Sequence, residues 1–126
     1  MSINDPPATA VIPIQGTFDI AQGRNAIRMR VASQRWPLSF NARSATAMTV
    51  LGELIMLCNR SKAVPVYITL LSDQKPHGIE LSCTLPKPTD EIVRWKSKMD
   101  NLTRVADTLD VNEHGGQIDI RACVCL

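Results

Sequence analysis

The fold is decided by the stretch Ser44-Ala45-Thr46-Ala47-Met48-Thr49-Val50-Leu51-Gly52-Glu53-Leu54-Ile55-Met56-Leu57-Cys58-Asn59. On a helix it is apolar on nearly every side, and Ala45, Ala47 and Gly52 leave room for a neighbouring backbone. We therefore predict a helix that is buried on most faces. Glu53 is its only formal charge. Because a buried carboxylate is costly unless it is paired, hydrogen-bonded or protonated, Glu53 is the first candidate functional residue.

Length and composition exclude several classes of protein. The 126 residues are enough for one core without metal or disulfide support, and we expect a flexible arm over residues 1–10 and one domain over residues 11–126. The net charge of +2 comes from scattered side chains and aromatic rings are few, so no nucleic-acid partner is expected. No segment is apolar over the roughly eighteen residues of a membrane span, and the N-terminus does not read as a secretory signal. We expect a cytoplasmic protein that does not contact membranes.

Four cysteines are expected to stay reduced, since this composition indicates an intracellular protein. Strict alternation over residues 117–126 places Cys123 and Cys125 on the sheet face opposite the core, whereas Cys83 shares its face with apolar neighbours. A zinc site needs four ligands, and these sulfurs lie on different faces. His77 and His114 stand in turns beside glycine, where a solvated histidine is the ordinary interpretation. We therefore expect no metal site.

Periodicity and turn residues give the order strand, helix, helix, strand, strand, helix, strand, strand. Pro13 cannot donate to a ladder, so the first strand, residues 11–15, is expected at a sheet edge. Helix caps are expected at Asp19, with Gln22 at capping-box spacing, then at Ser39 or Asn41, and finally at Thr89 or Asp90. The order predicts an α+β or α/β two-layer sandwich, with helices on one face of a mixed, mostly antiparallel sheet.

The first helix carries three arginines, Arg24, Arg28 and Arg30, largely away from its inward apolar stripe. Isolated charges on a helix are ordinarily a solvated face. The alternative is a surface that binds a partner protein, and we keep these three residues as its candidates.

Short pieces of sequence in a fixed order give the chain a resemblance to a known superfamily. They are Ile12-Pro13-Ile14 followed by Phe18-Asp19-Ile20, then Gly23-Arg24 and Ala32, then Ala45-Thr46-Ala47 leading into Gly52-Glu53-Leu54, and finally Leu102 to Asp107 followed by Gly115-Gly116-Gln117-Ile118. From Val11 to Leu126 this order resembles the small anti-sigma factors and switch-protein serine kinases of bacterial partner-switching pathways. Those proteins are members of the GHKL (histidine-kinase-like) ATPase superfamily, so the resemblance implies the histidine-kinase-like ATPase fold.

The resemblance also implies an ATP site on the buried helix, but the chain departs from it. In the family a glutamate acts as general base or positions the attacking group, and an asparagine one turn later holds Mg²⁺. Glu53 takes the place of that glutamate, whereas Leu57 stands in the asparagine position. Asn59 is the nearest substitute, yet at roughly 100° per residue it lies about 120° around the helix from Glu53. Glu53 is thus the remnant catalytic candidate and Asn59 the candidate for cofactor binding.

Two further parts of the family's ATP site are missing from the sequence. Its Asp-x-Gly-x-Gly box, whose aspartate recognises adenine, should follow the second hairpin strand, where residues 82–88 contain neither Asp nor Gly. No glycine occurs from Ile79 to His114. A phosphate-binding lid needs bare backbone N–H groups, so ATP and Mg²⁺ are not expected as cofactors.

Three functions remain as expectations. The first is a non-catalytic regulatory module that binds a sigma factor, a STAS-type switch protein or its own copy as a homodimer. The second is an active ATP-dependent serine/threonine kinase or anti-sigma factor, with Glu53 as base and Asn59 recruited to the metal. The third is a small-molecule or redox sensor that uses the vacated nucleotide pocket or the Cys123 and Cys125 pair. Structurally, Glu53 could instead accept hydrogen bonds from Thr49 or from first-helix arginines, or reach solvent.

Overall fold

The computed structural model describes residues 6–58, 61–73 and 75–126. Within these ranges the chain is α+β, with three helices and five strands. The helices are α1 (Thr17–Ser33), α2 (Leu38–Cys58) and α3 (Ile92–Val105). The strands are β1 (Thr9–Ile14), β2 (Val64–Leu71), β3 (Gly78–Pro86), β4 (Thr108–His114) and β5 (Gln117–Cys125). The order of elements predicted from the sequence is confirmed.

The strands form one sheet in the order β1-β2-β3-β5-β4, and each described neighbouring pair is antiparallel. The expectation of a mixed sheet was therefore wrong. The connection from β3 through α3 to β4 is a crossover, and β4 runs in the same direction as β3. However, β5 inserts between β3 and β4, so the two strands that run the same way never pair.

One face of the sheet carries the core. Buried side chains alternate along β5, with Ile118, Ile120, Ala122 and Val124 inward, and they meet the apolar faces of the helices in one cluster. The chain leaves the opposite face open and polar, which is the usual pattern of an antiparallel sheet packed on one side. The predicted alternation of residues 117–126 is thereby confirmed.

The first strand lies at the edge of the sheet, as Pro13 predicted. It begins at Thr9 rather than at Val11, because Thr9 and Ala10 pair with Thr69 and Ile68 of β2. Part of the expected N-terminal arm is therefore strand, while residues 1–5 lie outside the described part of the chain.

Helix α2 is the central helix and packs against α1, α3 and the sheet. Two glycines allow α1 and α2 to approach closely. A Cβ added at Gly52 would lie 2.5 Å from Cγ1 of Ile20, and one added at Gly23 would lie 2.8 Å from Sδ of Met48. Gly52 of α2 thus serves the close contact that the sequence predicted, and Gly23 of α1 adds a second.

Substituting Gly52 by alanine tests this contact. We expect Gly52→Ala to lower the free energy of unfolding by about 1 kcal/mol, since overpacking costs about 1–3 kcal/mol and the gain in helix propensity returns up to about 1. Urea denaturation followed by circular dichroism measures the change. Adding Ile20→Ala should make Gly52→Ala neutral or favourable, and an unchanged cost in that background would contradict the assigned contact.

The helix caps differ from the sequence predictions. Asp19 does not begin α1; its carboxylate reaches back to accept the N–H groups of Gln15 at 2.8 Å and Gly16 at 3.0 Å. Helix α2 begins at Leu38, so neither Ser39 nor Asn41 is its cap. The carbonyl of Pro37 instead accepts the N–H of Phe40 at 3.1 Å and that of Asn41 at 3.2 Å.

The expected cap of α3 at Thr89 or Asp90 was also wrong. Glu91 holds that position with a left-handed backbone, φ 53°, and no side-chain hydrogen bond caps the helix. Helix α3 therefore begins at Ile92, directly after this left-handed residue.

Candidate functional site

Glu53 lies at a cleft between α2 and α3 rather than inside the core. Its carboxylate oxygen Oε2 is 3.3 Å from Nζ of Lys98, and the side chain is 44% exposed while that of Lys98 is 29% exposed. An interpretation of Glu53 as a deeply buried charge is therefore wrong. Solvent and a cation together account for a carboxylate on this otherwise apolar helix.

The structure also corrects the expected partners of Glu53. Arg24 of α1 donates from Nη1 to Oγ1 of Thr49 at 2.9 Å, and Thr49 itself donates to the carbonyl of Ala45 at 3.1 Å. Neither Thr49 nor an arginine of α1 is thus found on the carboxylate of Glu53. The alternative that Glu53 reaches solvent is the one that the structure supports.

Leu57 lines the same cleft as Glu53, one turn further along α2. The cleft has a volume of about 380 Å³, and its described lining is Gln15, Glu53, Met56, Leu57, Arg94 and Lys98. An aliphatic side chain offers no electron pair to a metal ion. The other candidate for cofactor binding, Asn59, lies outside the described residues.

Two cations that sequence reasoning did not single out face this cleft from α3. Lys98 pairs with Glu53, and Arg94 pairs with Glu91 at 3.0 Å. A spacing of four residues puts Arg94 and Lys98 on one side of α3. That spacing was the available signal, and the apolar stripe through Met99 and Leu102 indicates the inward face of α3, but neither shows which flanking cation reaches Glu53.

The segment where the family's adenine-recognising box was expected is held by contacts of a different kind. After β3, the N–H of Lys87 donates to the carbonyl of Gly116 at 2.8 Å, and its Nζ pairs with Glu113 at 2.6 Å. Both partners belong to the β4–β5 hairpin. The segment is thereby attached to the end of the sheet.

The three arginines of α1 do not form one exposed surface. Arg24 and Arg28 are exposed, and Arg28 donates to Oδ1 of Asn25 at 2.6 Å. Arg30 is 4% exposed, so its expected place on a solvated face was wrong. Its Nη1 donates to the carbonyl of Ala26 at 2.9 Å, and burial lowers the pKa of its guanidinium.

The cysteines lie where the alternation predicted. Cys83 is buried in the core, Cys123 and Cys125 are on the opposite face of the sheet, and all four thiols are free. Burial raises the pKa of Cys58, Cys123 and Cys125, and it raises that of Cys83 to about 12. Because the thiolate is the reactive form, these thiols are poor nucleophiles at neutral pH.

The open face of the sheet carries a hydrogen-bonded cluster around Asp119 that sequence reasoning missed. Thr84 donates to its Oδ1 at 2.6 Å, and Nε2 of His114 lies 2.7 Å from its Oδ2. The hydrogen bond from the Thr84 hydroxyl has the largest effect in lowering the pKa of Asp119, followed by the hydrogen bond with His114. The sequence could not indicate this cluster, because it does not show that Thr84 and Asp119 lie opposite each other in the β3–β5 ladder.

Removing the hydroxyl of Thr84 should raise the pKa of Asp119, which a carboxyl-detected NMR titration measures. A lowered pKa contributes stability above the unfolded-state pKa, and this contribution is lost as pH falls through the folded-state pKa. Thr84→Val should therefore weaken the acid dependence of stability. Thr69→Val, on the same face of β2, is the control, and an Asp119 pKa that moves equally in both variants would contradict the assignment.

Within the ranges described, no three His, Cys, Asp or Glu side chains are placed to hold a metal ion together. Helices in that part of the chain are too short or too polar to cross a membrane.

Comparison with known proteins gives no family for this chain. No protein-family model matches it, and no curated protein matches it either.

Proposed function

We propose that the chain is a non-catalytic regulatory protein-interaction module, related to anti-sigma factors and switch-protein kinases and built on the histidine-kinase-like ATPase fold. The element order and the layer of helices on one face of the sheet support that fold, whereas the antiparallel pairing of the described neighbouring strands departs from the mixed sheet expected for it. The partner class, a sigma factor or a STAS-type switch protein, comes from the resemblance in sequence alone.

The pairing of Glu53 with Lys98 is the observation on which this proposal rests. A general base or metal-positioning carboxylate needs its lone pairs free to accept a proton or to support a metal ligand. Here Nζ of Lys98 lies 3.3 Å from one oxygen of that carboxylate, and Leu57 lines the cleft one turn further along α2. The ammonium group competes for that oxygen and Leu57 offers no ligand to Mg²⁺, so both features weigh against a role of Glu53 on ATP.

The surroundings of the cleft support the same conclusion. A bound triphosphate needs backbone N–H donors at close approach, and neither Pro86, the last residue of β3, nor Pro88 in the segment that follows has an N–H to donate. Lys87 of that segment is engaged by Glu113. With Arg30 buried, Arg24 and Arg28 are the arginines of α1 that remain exposed to a partner.

Calorimetric titration with Mg²⁺-ATP tests the proposal. We expect no saturable binding, because neither the metal ligand nor the adenine contact of the family is present. Lys98→Met, which frees the Glu53 carboxylate, should also bind none. Saturable binding by the wild-type chain that Glu53→Gln abolishes would show that ATP is a ligand and would overturn the proposal. Transfer of labelled phosphate to a switch protein would do the same.

A positive test uses the products of the genes beside this one. Purified sigma factor or STAS-type switch protein from that neighbourhood is titrated against the full chain without nucleotide. We expect a complex, and complex formation that required ATP would instead favour an active kinase or anti-sigma factor.

A small-molecule sensor is the second candidate, and the composition of the cleft favours it. Arg94, Lys98 and Gln15 surround apolar surface from Met56 and Leu57, an arrangement that suits a small organic anion that competes with the Glu53 carboxylate for Lys98. A thermal-shift screen of carboxylates and phosphates measures whether such anions bind. Repeating it with Lys98→Met tests whether the binding depends on Lys98. The raised pKa values of the cysteines give no support to the redox form of the sensor.

A further inference from the structure

An open groove runs between α1 and the edge strand β1. It has a volume of about 510 Å³ and a lining of Ile12, Phe18, Ala21, Gln22, Asn25, Ala26, Met29 and Arg30. Phe18 is 74% exposed and Met29 is 48% exposed, although both are large and apolar. Their spacing along α1 places them on one side of the helix with Ala21, Gln22 and Asn25. Apolar side chains gathered along a groove mark a surface for another molecule.

The main chain of β1 is unpaired along this groove. The carbonyl of Ala8 accepts the N–H of Leu70 at 2.7 Å, so the even-numbered residues of β1 bond to β2 in the antiparallel register. Thr9 and Val11 therefore direct their N–H and C=O groups away from the sheet. Pro13 offers a carbonyl but no N–H and ends the donor row. The exposed edge is a template for one short added strand.

Arg30 places an uncompensated positive charge at this groove. The side chain is 4% exposed, yet it borders the groove, and its Nε has no hydrogen-bond partner. In the described part of the chain no carboxylate lies within ion-pair distance of Arg30. Its described hydrogen bond runs from Nη1 to the carbonyl of Ala26, and an incoming carboxylate would add charge-assisted hydrogen bonds to the buried, unpartnered Nε.

We propose that an extended segment of a partner protein adds to β1 as a sixth strand and places a carboxylate on Arg30 and an apolar side chain between Phe18 and Met29. Alternate side chains of an added strand point to the same side, so one segment supplies both groups. The inference rests on the proposed role as an interaction module and gives that role a surface and a partner chemistry. It does not depend on the state of the Glu53 cleft.

A peptide selection tests the proposal without a known partner. A display library of random linear peptides is selected against the immobilised full chain, and enriched peptides are synthesised and titrated by calorimetry. We expect sequences with Asp or Glu two residues from an apolar side chain. Enrichment of peptides that lack a carboxylate, or of basic peptides, would overturn the proposal.

Two variants separate the side-chain and main-chain contributions. Arg30→Met should weaken a selected peptide by about 30-fold or more, as expected for a lost buried charge pair, whereas Lys96→Met, at an exposed cation of α3 outside the groove, should leave affinity unchanged. Val11→Pro removes an outward N–H without touching a bond to β2, and it should weaken binding by about tenfold while the chain stays folded by circular dichroism. Unchanged affinity in either Arg30→Met or Val11→Pro would contradict the added strand.

The main competing occupant is a second copy of the chain. Sedimentation velocity would then show a dimer that Val11→Pro dissociates, and this result would overturn the proposal. The groove proposal and the proposed function can fail separately, because the ATP titration measures nucleotide binding at the Glu53 cleft alone. If ATP bound to the chain, the groove proposal would still be supported by selected peptides whose affinity falls in Arg30→Met.

Discussion

Gly78→Ala is expected to lower the free energy of unfolding by about 3 kcal/mol, near the upper end for overpacking. A Cβ at this position would lie 2.1 Å from the carbonyl oxygen of Val124 and 3.1 Å from Cα of Cys125. Both atoms belong to the backbone of β5, which pairs with β3 and β4, so they cannot rotate away as a side chain could. The β3–β5 ladder would have to separate at this end.

Urea denaturation at neutral pH measures this effect, with Gly16→Ala as the matched control. A Cβ at Gly16 meets nothing within 4 Å, and we expect that variant to cost about 0.5 kcal/mol, through the less favourable helix cap alone. Equal losses in the two variants would mean that flexibility of the chain rather than the approach to Val124 is the reason for glycine at position 78.

The parts of the fold that were predictable are those with strong local patterns. The alternation over residues 117–126, the continuous apolar run of α2 and Pro13 at a sheet edge each determine one structural outcome. Pairing of distant strands leaves no such local pattern. The insertion of β5 between β3 and β4 could therefore not be predicted from spacing, and it made the sheet antiparallel rather than mixed.

Arg30 shows why burial is hard to predict for a long charged side chain. A position on α1 fixes where the Cβ points, but not whether the remaining side chain folds toward solvent or toward its own helix. Here the guanidinium turns to the carbonyl of Ala26. Arg24 and Arg28, on the same helix, follow the ordinary interpretation and are exposed.

At the candidate site, the sequence identified Glu53 but not its partner. Glu53 was recognisable as the single charge in an apolar run, whereas Lys98 is one of several cations on α3. Which of them meets Glu53 depends on how α3 lies beside α2, and α3 inserts only Leu102 fully into the core. The apolar stripe of α3, in which Leu102 is buried and Trp95, Met99 and Val105 pack against the core, indicates its inward face but not which of the flanking cations reaches Glu53.

Leu54→Ala should lower the free energy of unfolding by about 3 kcal/mol, whereas Glu53→Gln, at the adjacent position, should change it by less than about 1 kcal/mol. Leu54 has no exposed surface and lies in the main core, so its truncation leaves a cavity between α2 and its neighbours. Glu53 loses only a half-exposed pair with Lys98.

Chemical denaturation of the two variants and of Lys98→Met measures this difference. If Glu53→Gln cost as much as Leu54→Ala, the carboxylate would be a structural group that holds α3 to α2. A small cost for Glu53→Gln together with a large one for Leu54→Ala would locate the contribution of α2 to stability in its buried core side. The side that borders the cleft could then vary without loss of the fold.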